Sequence, residues 1–306
     1  MISRGKKKTL VFAHDAGGAE VVAAYLARRK RKMRFSAYVA GPAARVFRRW
    51  RVPFKKAPTT RERIAKIIAR GGSIIRVLTG TGWMTRIELM AIEEAKRRRI
   101  PTAAYLDSWV NYRERFGYPK RGWQNHVPDE LWVGDTAAFG LAKKYFPHTP
   151  IRHVPNQYFK NITTRHRMHS FKRSKKKVIL FMSAASRISE TLLNEVLKKM
   201  ARANMHCTVR VRLHPADERA RFEKICARWQ GVETEISHDI DIVNDIRRAR
   251  LVIGPETVAL VSALLLKIPT VRIVPRGEKA FLPFKEIRKV ASVKQVLGAV
   301  RKAVRH

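Results

Sequence analysis

Carboxylates are scarce in this chain of 306 residues: 24 Asp and Glu stand against 65 Lys and Arg, a formal net charge of +41. Such a surface attracts polyanions, whether nucleic acid, anionic lipid or phosphorylated substrates, and a host-wide basic bias gives the same composition. Cysteine is scarcer still. Cys207 and Cys226 have neither CxxC spacing nor a His/Cys cluster around them, which leaves a zinc site or a disulfide framework unsupported and fits a reducing compartment. Long apolar runs are absent too. "TVALVSALLLKIPTVRIV" is broken by Lys267 and Pro269, short of the ~20 residues a membrane span needs. The apolar run after the basic opening "MISRGKKK" is too short for a signal peptide. The expectation is a cytoplasmic protein, either soluble or held peripherally at the inner face of a membrane. No RNP-like, zinc-finger, KH or helix-turn-helix signature is present, which weighs against a protein that reads nucleic acid. No DxD-like pair of carboxylates suits a metal-dependent transferase, so no metal or other cofactor is expected.

What is present is a steady alternation of short apolar strands and helical patterns, and 45% hydrophobic residues suffice for a sizeable core. Strands are expected at 9–14, 35–41, 73–80, 101–107 and 130–135, with helices at 18–29, 43–50, 84–99 and 136–146. "TTRERIAKIIARGG" carries a Thr cap and a closing Gly, the punctuation of a further helix. Residues 157–177 have little periodicity and much charge, as a linker would. A second series follows, with strands at 177–183, 207–213, 232–236, 251–254 and 270–274. Its helices are expected at 188–203, 217–229, 239–249 and 257–267, and a last one closes the chain. This predicts an α/β protein of two Rossmann-like domains facing across a cleft: 1–157, a linker at 158–176, and 177–306.

In open parallel sheets ligands bind beyond the carboxyl ends of strands, so each strand exit is a candidate. In "HDAGGAEVV", Gly17 and Gly18 permit close backbone approach, and His14 and Asp15 offer polar groups. "TGTGWMTRIE" is a second glycine-containing exit, readable as a plain turn. "LDSWVNYRERFGYPKRGWQNHVPDELW" is a long loop, too aromatic for disorder. In it Asp107 and Glu114 are candidate general bases, and Trp109, Tyr112 and Trp123 are candidate platforms for sugars or bases. Asn111 and Arg113 lie alongside. In the second half, Ser183, Ser186 and Arg187 of "MSAASRISE" suit a diphosphate. His214 stands where the strand of "CTVRVRLHPAD" ends, and Gly254, Glu256 and Thr257 form the last exit.

"RLHPAD", followed some forty residues later by "LVIGPETVALVSALLLKIPTV", resembles the C-terminal half of GT-B-fold nucleotide-sugar enzymes. The likeness is to the polysialyltransferase and CDP-glycerol glycerophosphotransferase type, and to the non-hydrolysing UDP-N-acetylglucosamine 2-epimerases. The resemblance implies that His214 meets the donor's phosphate or nucleotide. It implies the diphosphate at Gly254 and Thr257, and a ribose or sugar contact at Glu256. Where relatives have Glu-Ala in the last helix, this chain has Ser262-Ala263. The expected function is metal-independent glycosyl transfer from a nucleotide-activated sugar, as co-substrate, to a cell-envelope or polysaccharide acceptor, carbohydrate or lipid-linked. Asp107 or Asp15 would take the acceptor proton. A UDP-sugar 2-epimerase and a non-enzymatic nucleic-acid-binding protein are the alternatives, and docking on an anionic membrane is compatible with the first.

Overall fold

The computed structural model describes residues 7–168, 176–184, 186–239 and 241–305. The chain divides into two compact units, Met1–Tyr158 and Phe159–His306. In the first, β1 (Lys8–Ala13), β2 (Phe35–Val39), β3 (Lys55–Lys56), β4 (Ile74–Thr79), β5 (Thr102–Tyr105), β6 (Glu130–Val133) and β7 (Ile151–His153) form one sheet in the order 3-2-1-4-5-6-7. The helices between them are α1 (Ala16–Arg29), α2 (Ala43–Arg49), α3 (Arg61–Ala69), α4 (Ile87–Arg97) and α5 (Thr136–Tyr145). Every strand pair is parallel.

The physical cause is visible in β1, where five of six residues are buried. Leu10 and Phe12 pack with Ile64, Ile68, Ile87 and Ala91 of α3 and α4. Val11 and Ala13 point the other way, into a second core with Val22, Leu26, Val46 and Phe47 of α1 and α2. A strand clothed on both faces by helices reads as a continuous apolar run, which is why "TLVFA" lacks alternation. Helix starts follow local rules. Thr60 accepts from the Arg63 amide, and Asp135 from the Ala138 amide at 2.8 Å, each cap worth about 1 kcal/mol.

The second unit repeats the scheme. β8 (Val178–Met182), β9 (Thr208–Arg212), β10 (Glu233–Ile236), β11 (Ala249–Gly254), β12 (Thr270–Ile273) and β13 (Arg288–Val290) form a parallel sheet in the order 10-9-8-11-12-13. Around it lie α7 (Ile188–Arg202), α8 (Arg219–Arg228), α9 (Ile242–Arg248), α10 (Ala259–Leu265) and α11 (Val293–Arg305). Ile179 and Phe181 of β8 pack with Leu193, Val196 and Leu197 of α7 and with Val296 and Val300 of α11. Both units thus carry the doubly wound strand order, in which the chain reverses its direction of winding beside the first strand. The α/β class with two Rossmann-like units is as expected.

Several local readings differ. α6 (Gln157–Met168) is a helix inside the stretch read as a linker; residues 169–175 of that stretch lie outside the described residues. α10 is seven residues long, shorter than the 257–267 expected. β3, β7 and β13, of two or three residues each, were not foreseen.

Candidate functional site

At the carboxyl edge of the first sheet, the exits of β1, β4 and β5 are tied together. Asp15 follows β1 with both carboxylate oxygens engaged. Oδ1 lies 2.8 Å from His14 Nδ1, and Oδ2 accepts from the Trp83 and Met84 amides beyond β4. It occupies the N-cap position of α1 without capping it. Since a carboxylate only accepts, Nδ1 of His14 is the donor in this contact. Asp15 is therefore a bridge between two exits, with both oxygens already engaged.

Asp107, beyond β5, is built differently. Its Oδ1 receives Arg115 Nη1 at 2.5 Å and lies 3.2 Å from the Thr81 hydroxyl. Arg115 is fixed in turn by Ser108 Oγ at 2.6 Å, Thr81 Oγ1 at 2.7 Å and the Val110 carbonyl. Oδ2 takes no hydrogen bond among the described residues and sits over Gly17, where an added Cβ would come within 2.1 Å of it. One oxygen is locked and the other is presented beside the start of α1. Gly18 serves the chain itself: a Cβ there would meet the Thr81 backbone nitrogen and oxygen at 2.7 and 2.8 Å. The close approach inferred from "DAGG" is thus made by the neighbouring exit.

The aromatic loop after Asp107 is a packed structure. Trp109 and Tyr112 are 5% and 2% exposed, too enclosed to offer a ring face to a ligand. Trp109 Nε1 donates to Asp135, and the Tyr112 hydroxyl to the Ala138 carbonyl. Burial pushes the Tyr112 phenol well above its ordinary range. Arg113 donates to the Tyr145 carbonyl and lies over the Tyr118 and Tyr145 rings. Asn111 is exposed at a positive φ of 58°, and Glu114 opens a short 3-10 turn.

Two residues escaped the sequence reading. Trp83 is 70% exposed on the β4 exit, its own amide pinned by Asp15. A Trp directly after the glycines Gly80 and Gly82 of a strand exit was its signal. Glu88, in the first turn of α4, is 4% exposed and accepts the His14 amide at 2.7 Å. Burial, with Asp15 nearby, pushes its carboxyl up to about 7. Its signal was a Glu on the same helical stripe as Ala91, Ile92 and Ala95.

In the second unit the exits of β9, β8 and β11 are neighbours, so His214 and Gly254 stand two strand spacings apart, about 10 Å. "HPAD" is a closed turn. Asp217 Oδ2 accepts the His214 amide at 2.8 Å and bonds the Ser183 hydroxyl, which itself accepts that amide at 2.6 Å. Ser183 is buried and committed to joining β8 to β9, so its hydroxyl is not available as a phosphate donor. Asp217, not singled out before, is what shapes the turn. Pro215 lies in this turn, ahead of α8, rather than in a helix. His214 is half-buried, and its Nδ1 accepts from the Ala216 amide at 3.1 Å, which puts the proton of the neutral ring on Nε2.

Ser186 and Arg187 are exposed at the start of α7. Gly254 ends β11 against β8, where a Cβ would lie 2.3 Å from the Met182 carbonyl oxygen. Glu256 turns inward: Oε2 accepts the Phe281 and Leu282 amides, and Oε1 pairs with Arg272 at 3.2 Å. Oε2 thus holds the 281–282 loop, while Oε1 faces Arg272 of β12. Thr257 accepts from the Ala259 amide at 3.4 Å ahead of α10. Burial pushes the Cys207 thiol up to about 11, out of reach of nucleophilic chemistry. Among the described residues no three His, Cys, Asp or Glu side chains gather so as to hold a metal ion, and no helix is long and apolar enough to cross a membrane.

The two doubly wound units, with their polar exits at the strand carboxyl ends, define the fold of GT-B-type nucleotide-sugar enzymes. Solved structures bear this out. The UDP-GlcNAc 2-epimerase of Neisseria meningitidis, bound to UDP-GlcNAc, is similar over 98% of this chain and 92% of its own, at 11% identity and a TM-score of 0.71. A glycosyltransferase from Rickettsia africae matches 98% of this chain and 88% of its own, at 11% identity and a TM-score of 0.59. MurG of Acinetobacter baumannii matches 98% and 91%, at 10% identity and a TM-score of 0.54. No protein-family model and no curated sequence matches the chain.

Proposed function

We propose that this chain is a glycosyltransferase that moves a sugar from a nucleoside-diphosphate donor to a hydroxyl of a carbohydrate or lipid-linked acceptor. The observation that carries the reading is Asp107, a carboxylate with one oxygen clamped by Arg115 and Thr81 and the other presented at the strand exit. A base held this way is oriented without being consumed by its anchors. Oδ2 takes the proton of the acceptor hydroxyl as that oxygen attacks the anomeric carbon and the bond to the diphosphate breaks. On the second unit, Nε2–H of His214, the Arg187 guanidinium and the backbone N–H groups at the start of α7 are donors suited to the charge of a diphosphate. The similar epimerase binds a UDP-sugar, which supports a nucleotide-sugar as the partner. Asp15 and Glu88 hold the β1 exit in register with that of β4, and Trp83 offers the acceptor an exposed ring.

A screen of UDP, GDP, CDP, CMP and ADP by thermal shift, followed by calorimetry, tests the donor half. One nucleotide is expected to stabilise the protein, and His214→Ala to weaken it about tenfold, the loss of one charge-assisted hydrogen bond. Asp107→Asn is expected to keep that affinity within about twofold and to lower transfer by 10²- to 10⁴-fold. No shift with any nucleotide would remove the reading. The larger overlap with the epimerase favours a second one, 2-epimerisation of a UDP-sugar. Incubation of UDP-GlcNAc without acceptor separates the two, since only an epimerase yields the epimer.

A further inference from the structure

Some cations of the first unit have carboxylate partners. Arg49 pairs with Glu20, Arg61 with Glu93, Arg98 with Glu94 and Arg115 with Asp107. A groove of about 910 Å³ lies at the amino ends of β1, β2 and β4. Lys8, Lys30, Arg31, Arg34 and Arg70 line it, and no carboxylate does. None of the five has an ion pair or a side-chain hydrogen bond among the described residues. All but Lys8 are exposed. Between them lies an apolar floor of Met33 and Phe35, half-buried, with Pro53 at its side. Like charges crowded within a Debye length repel one another until an anion arrives.

The complement to this arrangement is an amphiphile with anionic heads for the rim and an apolar part for the floor. Phe35 is the one aromatic ring in the groove, so the succession of rings on which single-stranded bases stack is missing. We propose that this groove docks the protein on an anionic phospholipid surface, headgroups on the five cations and glycerol and acyl carbons over Met33 and Phe35. The groove lies at the opposite end of β1 from Asp15, six residues and about 20 Å away, so it is a tether and not part of the strand-exit site.

The test is sedimentation with phosphatidylcholine vesicles containing about 30% phosphatidylglycerol, in ~0.1 M salt. Two triple variants of equal net charge are compared: Lys30→Glu, Arg31→Glu, Arg34→Glu in the groove, and Lys294→Glu, Arg301→Glu, Lys302→Glu on the exposed side of α11. Circular dichroism melts establish that both are folded. Each basic residue at an anionic surface contributes roughly fivefold to partitioning, so the groove triple is expected to lose at least 100-fold, and the α11 triple far less. The single variant Arg31→Gln, which alters the fold least, is expected to lose about fivefold. Equal losses for the two triples, or equal binding of the wild type to pure phosphatidylcholine, would overturn the proposal. So would poly(U) binding that falls in the groove triple by the same factor as vesicle binding, which would reassign the groove to nucleic acid.

Discussion

Glu88 carries the clearest consequence at the scale of single residues. Its carboxyl is raised from the ordinary 4.5 to about 7 by burial, so between those values the folded chain holds a proton that the unfolded chain has released. The native state therefore binds more protons there, and stability must fall as pH rises from about 4.5 to 7. The loss accumulates to on the order of 3 kcal/mol above that window. Glu88→Gln keeps an acceptor for the His14 amide without the charge. Its melting temperature is expected to stay flat from pH 5 to 8, where the wild type declines; parallel curves would refute this. Placement was legible in the sequence where position alone decides it, as for Asp107 and His214 at strand ends. It was not legible where a partner decides. Nothing local says that Asp15 will spend its oxygens on His14 and the β4 exit, nor that Glu256 will turn towards the 281–282 loop. Trp109 and Tyr112 look like exposed rings until the fold wraps α5 around them.

At the scale of elements, the contact between β8 and β11 is the tightest test of packing. Gly254→Ala sets a methyl 2.3 Å from the Met182 carbonyl oxygen, a backbone atom that cannot rotate aside. The strands must part, at a cost of about 1–3 kcal/mol. Gly140, inside α5 with nothing within 4 Å of its added Cβ, is the internal control. Gly140→Ala should stabilise by about 0.5–1 kcal/mol. Denaturant titrations that rank the two variants the other way would contradict the packing described. Long elements were legible because burial on both faces of β1 and β8, or on one stripe of a helix, writes itself into the order of apolar residues. β3, β7 and β13 were not, since an edge strand of two or three residues is made by its neighbour's hydrogen bonds rather than by its own pattern. α6 was missed because "QYFKNITTRHRM" mixes β-branched and charged residues with few apolar ones.

For the whole molecule, the net charge of +41 governs encounters with any polyanion. Binding to RNA is expected, and to be electrostatic: raising salt from ~50 to ~200 mM should weaken it by about 10³-fold or more. A gel shift that survives the higher salt would instead favour a dedicated nucleic-acid function. The repeated doubly wound order was legible as strand–helix alternation, since parallel neighbours need a crossover and most crossovers here carry an α-helix; those from β5 to β6 and from β12 to β13 do not.

That same topology sets how the protein reaches its native state. Every recorded strand pair in both sheets is parallel, so no hairpin can serve as a nucleus, and even β8 and β9 meet only after the whole of α7 has been spanned. Such non-local pairings close large loops before any reward arrives, and folding from denaturant should therefore be slow, with collapsed intermediates exposed to aggregation on whatever polyanion is at hand.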